Sequence, residues 1–413
     1  MERRRVVITG MGAVTPLGNS VTDFWKAMLE GRSAAGPITK FDATNHTTKF
    51  ACETKNLPTE NIIEPKELKR IDEYAQFALV AAHEAIRDSG LDFEREDRDR
   101  IGVLVGSGIG GIRSFEEEHT KLMQGGPRRV SPFFIPLMII DIASGHISIK
   151  YNLKGPNYAV VSACASASHA IGDAFRIIQR GDAEVMITGG AEAAICPISI
   201  AGFNSMKALS TRNDDPQRAS RPFEKNRDGF VMGDGGGIVI LEELEHARKR
   251  GAKIYAEMRG LGFTADAYHI TAPAPGGEGA IRAMRLCLKD GGLNPDEVQY
   301  INAHGTSTTY NDKSETDAIK AVFGDHAYQL NVSSTKSMMG HLLGAAGSVE
   351  LIASVLVITN GIIPPTINYE EPDPECDLNY TPNKPIERKV SAAVSNTFGF
   401  GGHNAVLAVS AFK

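Results

Sequence analysis

Short runs of apolar, β-branched residues alternate along the chain with longer segments that have helical patterning. The apolar runs predict strands at residues 5–9, 102–105, 185–188, 237–241, 256–262, 300–303 and 392–395. The longer segments predict helices at residues 74–89, 167–179 and 348–359, and a charged helix at 242–250. Strands and helices that alternate in this way are typical of a layered α/β fold.

A weak internal likeness indicates two related halves. Each half has a strand that runs into a small-residue loop, VGSG at 105–108 and AHGT at 303–306. Each then has a small-residue helix start, CASA at 164–167 and GAAG at 344–347, followed by a glycine turn, TGG at 188–190 and FGG at 400–402. Matching features in the same order predict a duplication, with halves at residues 1–250 and 251–413 whose loop ends would meet at one site.

Composition narrows the class of protein. With 413 residues, 42% of them hydrophobic and 23% charged, the chain has a globular balance and enough length for two fused halves. Its net charge of −6 argues against a general nucleic-acid binder but is compatible with a local basic patch for an acidic partner.

Targeting signals are not evident in the sequence. The apolar start at residues 6–10 is too short for a signal peptide, and we find no apolar run of about 18 residues, so we expect a cytoplasmic protein without a membrane span. The segment 361–385, rich in proline and acids, is expected to be a surface loop with little regular structure.

The cysteines are scattered, and no CxxC pair occurs, which argues against a disulfide framework or a zinc site. They are Cys52, Cys164, Cys196, Cys287 and Cys376. Cys164 differs from the others because it opens a small-residue helix in VSACASASH, at 161–169. Unpaired N–H groups and the positive end of the helix dipole favour a thiolate at such a position. The local sequence leaves a packed core thiol and a nucleophile about equally open.

Two histidines lie in glycine-lined loops of the second half. His304 follows an apolar strand in NAHGTST, at 302–308, and His341 ends the run STKSMMGH, at 334–341. Lys336 precedes His341 and could orient it. A lone histidine in either loop is more often structural, but two of them, together with Cys164 in the other half, favour a shared active site.

Other interpretations explain these residues less well. GSGIGG at 106–111 fits the GxGxxG pattern after a strand, but no suitable acid follows about 20 residues later. The sequence has no Walker motif, and the histidines lack zinc-ligand spacing. A Cys–His protease would leave the second histidine and Lys336 unexplained.

Four motifs taken together resemble the signatures of the β-ketoacyl-acyl-carrier-protein synthases. They are ACAS at 163–166, HGTST at 304–308, KSMMGH at 336–341 and NTFGFGG at 396–402, in the family's order. The resemblance covers essentially the whole chain and is greatest to the elongating type, synthase II. Supporting stretches are GPRRVSP at 126–132 and DAYHITAP at 266–273.

The resemblance implies a thiolase-like α/β fold, in which two related halves form five layers (αβαβα), usually as a homodimer. It implies a Cys-His-His site at Cys164, His304 and His341. Initiating synthases have Asn in place of the second histidine, and thiolases have a second cysteine near the C-terminal glycine turn, where this chain has none.

The chain departs from the family pattern at a few positions. The family frequently has Thr where this chain has Ser162 and Met339, Gly where it has Ala167, and Glu where it has Asp234. Ala167 would alter the pocket beside Cys164 slightly, and Met339 would alter the surroundings of His341.

The same resemblance implies decarboxylative Claisen condensation of an acyl group on Cys164 with a malonyl thioester. The backbone N–H groups of Cys164 and Phe400 would bind the oxyanion, and neutral His304 and His341 would each donate a hydrogen bond to the thioester oxygen as carbon dioxide leaves. No metal or redox cofactor is required, since the phosphopantetheine arrives on the carrier protein.

The resemblance also assigns supporting roles. Lys336, held by Glu315, would keep His341 in its donating tautomer. Thr306 and Thr308 resemble the threonines that hold the pantetheine arm. Ile109 resembles an acyl-pocket residue, Phe400 its gate, and Phe398 belongs to the same substrate site. A structural monovalent cation near Glu350, Ser395 and Asn396, as in some relatives, is left open.

Acyl carrier protein is strongly acidic, so we expect a basic patch for it. The candidates are Lys66, Lys69, Arg70, Arg128, Arg129 and Lys207. The alternative for each of these residues is that it is an ordinary solvated surface charge with no role in binding. Two other functions stay open: a polyketide-type ketosynthase with the same three residues, and a non-catalytic chain-length subunit, a class that commonly lacks the active cysteine.

Overall fold

All the strands and helices predicted from the sequence are present in a computed structural model, which describes residues 3–413. The strands are β1 (Val6–Val14), β2 (Gly36–Pro37), β3 (Phe50–Ala51), β4 (Ile101–Gly106), β5 (Asn157–Tyr158), β6 (Val185–Glu192), β7 (Gly235–Glu243), β8 (Ala256–Ala265), β9 (Tyr300–Asn302), β10 (Asn331–Ser333), β11 (Ile362–Ile363), β12 (Ile386–Glu387), β13 (Ala392–Gly399) and β14 (His403–Ser410). The helices are α1 (Val21–Leu29), α2 (Glu73–Ser89), α3 (Ile112–Gly125), α4 (Phe134–Met138), α5 (Ile142–Tyr151), α6 (Ser166–Arg180), α7 (Pro197–Ser205), α8 (Leu244–Lys249), α9 (Glu278–Gly291), α10 (Thr309–Phe323), α11 (Lys336–Met339) and α12 (Ala346–Asn360).

The main sheet repeats one strand pattern twice. Its order is β10-β9-β13-β14-β8-β1-β7-β6-β4-β5. In the first half the parallel strands β5, β4 and β6 are followed by the antiparallel strands β7 and β1. In the second half the parallel strands β10, β9 and β13 are followed in the same way by the antiparallel strands β14 and β8. Strand β1 joins the halves through a short antiparallel pairing with β8. This repetition is what a duplicated fold gives, while the boundary at residue 250 stays a prediction.

Helices α6 and α12 pack against each other between the two halves of the sheet. Their inward side chains, such as Ile171 and Phe175 on α6 and Val349 and Ile352 on α12, are buried in the largest apolar cluster. Full burial of such a side chain contributes about 1.5–3 kcal/mol. Helices α2 and α5 cover one outer face, and α9 and α10 cover the other. The result is the five-layer αβαβα order of the thiolase-like fold.

The charged helix is shorter than the predicted 242–250, because β7 continues through Glu243 and α8 begins at Leu244. Glu242 stays in the strand, where its buried carboxylate contacts Thr9, His246 and Arg250. These contacts offset the cost of burying a charge, which the local sequence alone does not reveal.

The segment 361–385 has little regular structure, as predicted, but it is not simply a surface loop. Cys376, Leu378 and Tyr380 are buried in the core of the second half, and the Tyr380 ring stacks on Phe223 with centroids 4.0 Å apart.

The expectation that the chain has no long apolar run was wrong. Leu343–Asn360 has a mean hydropathy of 1.6 and is the one stretch, within the described part of the chain, long and apolar enough to cross a membrane. However, 83% of it is buried inside the protein, where a short turn, Leu343–Ala345, leads into α12 of the central layer. Such burial is what a core helix shows.

Candidate active site

Cys164 lies in a 3₁₀ turn, Ala163–Ala165, that leads directly into α6. Ala163 has a φ of 51°, in the left-handed region that side chains other than glycine rarely occupy, so the chain turns sharply just before the cysteine. The Ser166 hydroxyl holds this turn, because it accepts from the Ser162 N–H at 2.9 Å and donates to the Ala163 carbonyl at 2.7 Å. The turn places the thiol at the wall of a cavity, although the residue is only 9% exposed.

The two histidines reach this cysteine from separate loops of the second half. The Nε2 atom of His341 lies 3.1 Å from the Cys164 sulfur. Nδ1 of His341 accepts a hydrogen bond from the Leu343 N–H at 3.3 Å, which assigns the ring proton to Nε2. The His304 ring lies edge-on to His341, with centroids 5.3 Å apart. The structure therefore brings the three predicted residues together.

Both imidazoles are held neutral. Burial lowers the pKa of His304 well below its usual value, and the positive charge of Lys336 and the neighbouring His341 lower it further. Burial, followed by the charge of Lys336, has the same effect on the pKa of His341. A neutral imidazole with its proton on Nε2 can donate a hydrogen bond without carrying a charge into the cavity.

The backbone N–H groups at the helix start favour a thiolate at Cys164, as expected, but burial has the larger effect. Burial raises the pKa of the Cys164 thiol to about 12, whereas the charge of Lys336 and the backbone N–H groups of Phe400 and Cys164 lower it. The buried carboxylate of Glu192 raises it again. Desolvation of the anion outweighs the helix terminus, so the thiol is protonated at rest.

The resemblance implied that Lys336 pairs with Glu315, and this was wrong. Lys336 pairs with Glu350 on α12. Both side chains are fully buried. Burial raises the pKa of Glu350 to about 7, while Lys336 lowers it. The tautomer of His341 is fixed by the Leu343 N–H, so Lys336 acts on the histidines through its charge.

Glu315 supports the other histidine instead. Its carboxylate, on α10, accepts from the backbone N–H groups of His304 at 2.9 Å and Gly305 at 2.8 Å, and from the Asn396 side chain at 3.0 Å. Burial raises the pKa of Glu315 to about 7, against these donors. Glu315 therefore fixes the loop that carries His304.

A cavity of about 490 Å³ opens in front of Cys164, His304 and His341. The predicted substrate residues that line it are Ile109, Thr306, Thr308, Phe398 and Phe400. The hydroxyls of Thr306 and Thr308 lie 2.8 Å apart, and the Phe398 ring packs edge-on against His304. These residues therefore share one cavity with the three reactive side chains.

The basic candidates are all exposed, and some lie near one another. Lys207 lines the cavity. The Arg70 guanidinium lies 4.6 Å from the Phe133 ring, so the segment of Lys69 and Arg70 meets the segment that follows Arg128 and Arg129. Lys66 pairs with Glu64 at 2.8 Å, which reduces the charge that it presents.

Buried oxygens test whether a cation fits near Glu350. Within residues 3–413, Oε2 of Glu350, Oγ of Ser395 and Oδ1 of Asn302 have no hydrogen-bond partner. Ser395 and Asn302 are paired in β13 and β9, and the Asn302 amide donates to the Glu350 carbonyl. Oδ1 of Asn396 likewise has no partner within residues 3–413, although the Nδ2 atom of the same side chain donates to Glu315. Oxygen ligands with a single carboxylate suit a hard, singly charged cation.

The sequence did not reveal several site residues. Phe203 and Phe230 form aromatic walls beside Phe400 and His341, with centroids 6.4 Å and 5.4 Å apart respectively. No local pattern distinguishes them from core aromatics. Glu192 also lines the cavity, and the only signal for it was an acid at the end of an apolar strand.

The duplicated αβαβα fold, with a cysteine and two histidines in one cavity, places the chain among the thiolase-like acyltransferases. The family described as beta-ketoacyl synthase matches the chain through its N-terminal domain at residues 3–247 and its C-terminal domain at residues 255–370. The chain belongs to the β-ketoacyl synthase family.

Similar proteins match over the full chain. A protein of Synechocystis sp. named 3-oxoacyl-[acyl-carrier-protein] synthase 2 is 55% identical over 413 residues, covering 100% of this chain and 99% of its own. A Coxiella burnetii protein of the same name is 52% identical over 410 residues, covering 99% of each. A ketosynthase solved with its type II polyketide acyl-carrier protein and bound to the hexaketide is 35% identical, with both chains fully covered and a TM-score of 0.92. The family and the fold predicted from the motifs are confirmed.

Proposed function

We propose that the chain condenses an acyl group with malonyl-acyl-carrier-protein to give 3-oxoacyl-acyl-carrier-protein, in fatty acid chain elongation. The observation that carries the proposal is the Cys164 sulfur 3.1 Å from Nε2 of His341, with His304 beside it in the same cavity. Relatives named for this activity, at 52% and 55% identity over the full chain, support the substrate class.

The first half-reaction is acyl transfer to Cys164. The thiol gives up its proton and the sulfur attacks the thioester carbonyl. The carbon–sulfur bond to pantetheine then breaks, and pantetheine leaves as a thiol with that proton. The N–H groups of Cys164 and Phe400, which lower the pKa of the Cys164 thiol, would bind the developing oxyanion. Loss of one such donor typically slows a reaction about 10²–10³-fold.

The second half-reaction creates and uses a carbon nucleophile. The bond between the malonyl methylene and its carboxylate breaks, carbon dioxide leaves, and the electron pair moves onto the thioester oxygen as an enolate. Neutral His304 and His341 each donate a hydrogen bond to that oxygen. The enolate carbon attacks the acyl carbonyl, and collapse of the adduct expels Cys164 as a thiolate, which takes a proton from water.

Three buried charged residues next to the cavity set the pKa of the histidines and the position of the His304 loop. The Lys336 charge lowers the pKa of both histidines, keeping them neutral donors. Glu350 compensates the buried Lys336. Glu315 holds the loop of His304 through two backbone hydrogen bonds. In this proposal none of the three bonds to substrate.

Substrate enters through the cavity that Thr306 and Thr308 line. Their neighbouring hydroxyls suit the amides of a pantetheine arm. Ile109 lies on the apolar side of the cavity, in the cluster that contains Cys164, and suits the acyl chain. Phe398 and Phe400 lie between these two regions, and Phe400 gates access to the cysteine in this proposal.

The acidic carrier protein docks on the exposed basic residues near the cavity. Lys207 at the cavity wall and the neighbouring segments of Arg70, Arg128 and Arg129 are its main contacts, with Lys66 and Lys69 at the rim. Charges at the edge of an interface mainly change the association rate and its salt dependence.

Charge reversal tests this docking surface. Arg128→Glu with Lys207→Glu should raise KM for carrier-bound substrate about tenfold, because steering and attraction are lost. The kcat value and the rate with a free pantetheine thioester should change little. Lys289→Glu, an exposed residue on α9 in the opposite outer layer, is the matched control. Equal effects of both changes, or equal loss with the free thioester, would refute the surface.

A homodimer in the cytoplasm completes the proposal. Strand β5 forms the end of the main sheet with both of its residues exposed, and Tyr158, Val161, Met123 and Ile135 are exposed apolar side chains. An open sheet edge and exposed apolar residues are features that a second copy can cover. All five cysteines are free thiols, as a reducing compartment favours.

A monovalent cation is proposed as a structural group only. Glu350, Ser395 and Asn396 would hold it, with Asn302 beside them, and its charge would stabilise the unpaired oxygens next to the Lys336 pair. It takes no part in the bond-making steps above.

Product analysis tests the function. Purified enzyme with malonyl-acyl-carrier-protein and acyl carriers of graded length should release one carbon dioxide per turnover and yield products two carbons longer, as read by mass. A polyketide-type ketosynthase would add several malonyl units before release, and a chain-length subunit would give no product. The identity of 35% to a polyketide ketosynthase, against 55% to the named synthase, favours single elongation.

A further inference from the structure

Glu192 is a fully buried carboxylate at the end of β6, and its partners are hydroxyl and backbone N–H groups. One carboxylate oxygen accepts from the Ser107 hydroxyl at 2.8 Å and the Ile109 N–H at 3.1 Å. The other accepts from the Gly108 N–H at 2.7 Å and the Gly344 N–H at 2.9 Å. Four donors suit an ionised carboxylate, because a buried charge without partners is costly.

These donors come from two loops with different tasks. The loop of Ser107, Gly108 and Ile109 follows β4 in the first half and carries Ile109 of the acyl side of the cavity. Gly344 belongs to the second half and directly follows Leu343, whose N–H fixes the tautomer of His341. Glu192 therefore connects the acyl side of the cavity to the turn that holds a catalytic histidine.

The packing around Glu192 leaves no room for a side chain at Gly108 or Gly344, one in each loop. A Cβ atom at Gly344 would lie 2.2 Å from the Gly108 nitrogen and 2.5 Å from the Glu192 carboxylate. One at Gly108 would lie 2.8 Å from the same carboxylate. The two backbones approach each other this closely only because both positions are glycine, and the carboxylate lies between their N–H groups.

We propose that Glu192 is a positioning residue that holds the loop of Ile109 in register with the turn of His341. The acyl chain on Cys164 and the Nε2–H donor of His341 then converge on the same reaction centre. The proposal rests on the condensing function above. A misplacement of about 1 Å in such a donor can cost about 10²-fold in rate.

Glu192 also acts on Cys164 through its charge, and two variants can separate this effect from positioning. Its negative charge raises the pKa of the Cys164 thiol. Glu192→Gln removes the charge and replaces one acceptor by an amide group that cannot accept an N–H. Glu192→Asp keeps the charge but is one methylene shorter, so it cannot reach both loops. Both variants should therefore lose the positioning of the two loops, but only Glu192→Gln should change the ionisation of the Cys164 thiol.

The experiment measures three steps in the full-length enzyme: acylation of Cys164, release of carbon dioxide from malonyl-acyl-carrier-protein, and alkylation of Cys164 by iodoacetamide against pH. Both variants should lose about 10–100-fold in decarboxylation, with a much smaller loss in acylation. In Glu192→Gln the alkylation profile should move to lower pH by about half a unit or more, because a like charge is removed. In Glu192→Asp it should stay in place.

Glu84→Gln is the matched control. Glu84, on α2 in an outer layer, also accepts backbone N–H groups, from Ala13 and Val21 at 2.9 Å each. Burial raises the pKa of Glu192 and also that of Glu84, the latter to about 7. Its substitution should lower stability without changing any of the three steps.

Three results would overturn the proposal. They are decarboxylation within about twofold of wild type, equal loss of all three steps, or the same pattern in Glu84→Gln. If Glu192→Gln does not fold, Ser107→Ala removes one donor and keeps the carboxylate, and it must show the same selective loss at smaller size. Failure of the condensing function is a separate result, seen as wild-type enzyme that forms no condensation product.

Discussion

Cys164→Ala is expected to abolish acyl-enzyme formation and to lower condensation by at least about a thousandfold, as removal of a nucleophile does. Cys164 is the one thiol among the cavity-lining residues of the described chain. Alanine should leave the local turn intact, because Ser162 and Ser166 hold it without the sulfur. Intact mass after incubation with acyl carrier protein reads the result: wild type gains the acyl mass and the variant does not.

A second measurement separates the two half-reactions. Cys164→Ala should still release carbon dioxide from malonyl-acyl-carrier-protein, because the histidine donors and the cavity stay in place. Cys287→Ala, a buried thiol on α9, is the control and should acylate normally. An acylated Cys164→Ala protein would show that another residue holds the acyl group.

His304→Ala and His341→Ala should each reduce decarboxylation about 10²–10³-fold, the usual effect of one lost donor to a developing oxyanion. Acylation should fall much less in His304→Ala. It should fall more in His341→Ala, because only His341 contacts the Cys164 sulfur, at 3.1 Å. Carbon dioxide release and acyl transfer are measured separately, in single-turnover experiments.

A conservative variant sharpens this test. His341→Gln can place an amide N–H near the former Nε2 and should recover part of the decarboxylation lost in His341→Ala. His326→Ala is the control, because its ring bonds to the Val298 carbonyl and packs near Phe323, away from the cavity. If both steps fall by the same factor in His304→Ala, the histidines do not have the separate role that we propose.

The pKa shifts predict how decarboxylation depends on pH. Burial and Lys336 lower the pKa of both histidines below their usual value, so each ring stays neutral as pH falls from 8 through that value. Histidine protonation should therefore not lower decarboxylation in this range, and a change centred near pH 7 would report Glu315 and Glu350 instead. A decline centred near pH 6.5, the ordinary histidine value, would show that the rings titrate normally.

Local patterns predicted much of the fold. The predicted strands and helices are present, and Gly181 and Gly361 end α6 and α12 in the left-handed conformation, with φ of 84° and 66°. Helix α10 was not predicted, because its inward face includes Asp312 and Glu315 and so lacks an apolar stripe. Polar residues can face inward only when distant groups satisfy them, and a local pattern does not show those groups.

The partner of Lys336 illustrates the same limit within the site. Glu315 and Glu350 lie on different helices, α10 and α12, and both are buried. Sequence spacing cannot tell which of them meets the lysine. Packing places Glu350 against Lys336 and leaves Glu315 to bind the loop of His304. Glu192 was missed for a related reason, since its partners come from both halves of the chain.

By itself the sequence determined the α/β class and predicted the duplication and the three candidate reactive residues, because strand and helix periodicity and short motifs are local properties. Tertiary structure decided how those residues work. Convergence of the two halves placed His341 at the sulfur, the Leu343 N–H set its proton, and burial, which depends on every neighbour, kept the histidines neutral and the Cys164 thiol protonated at rest.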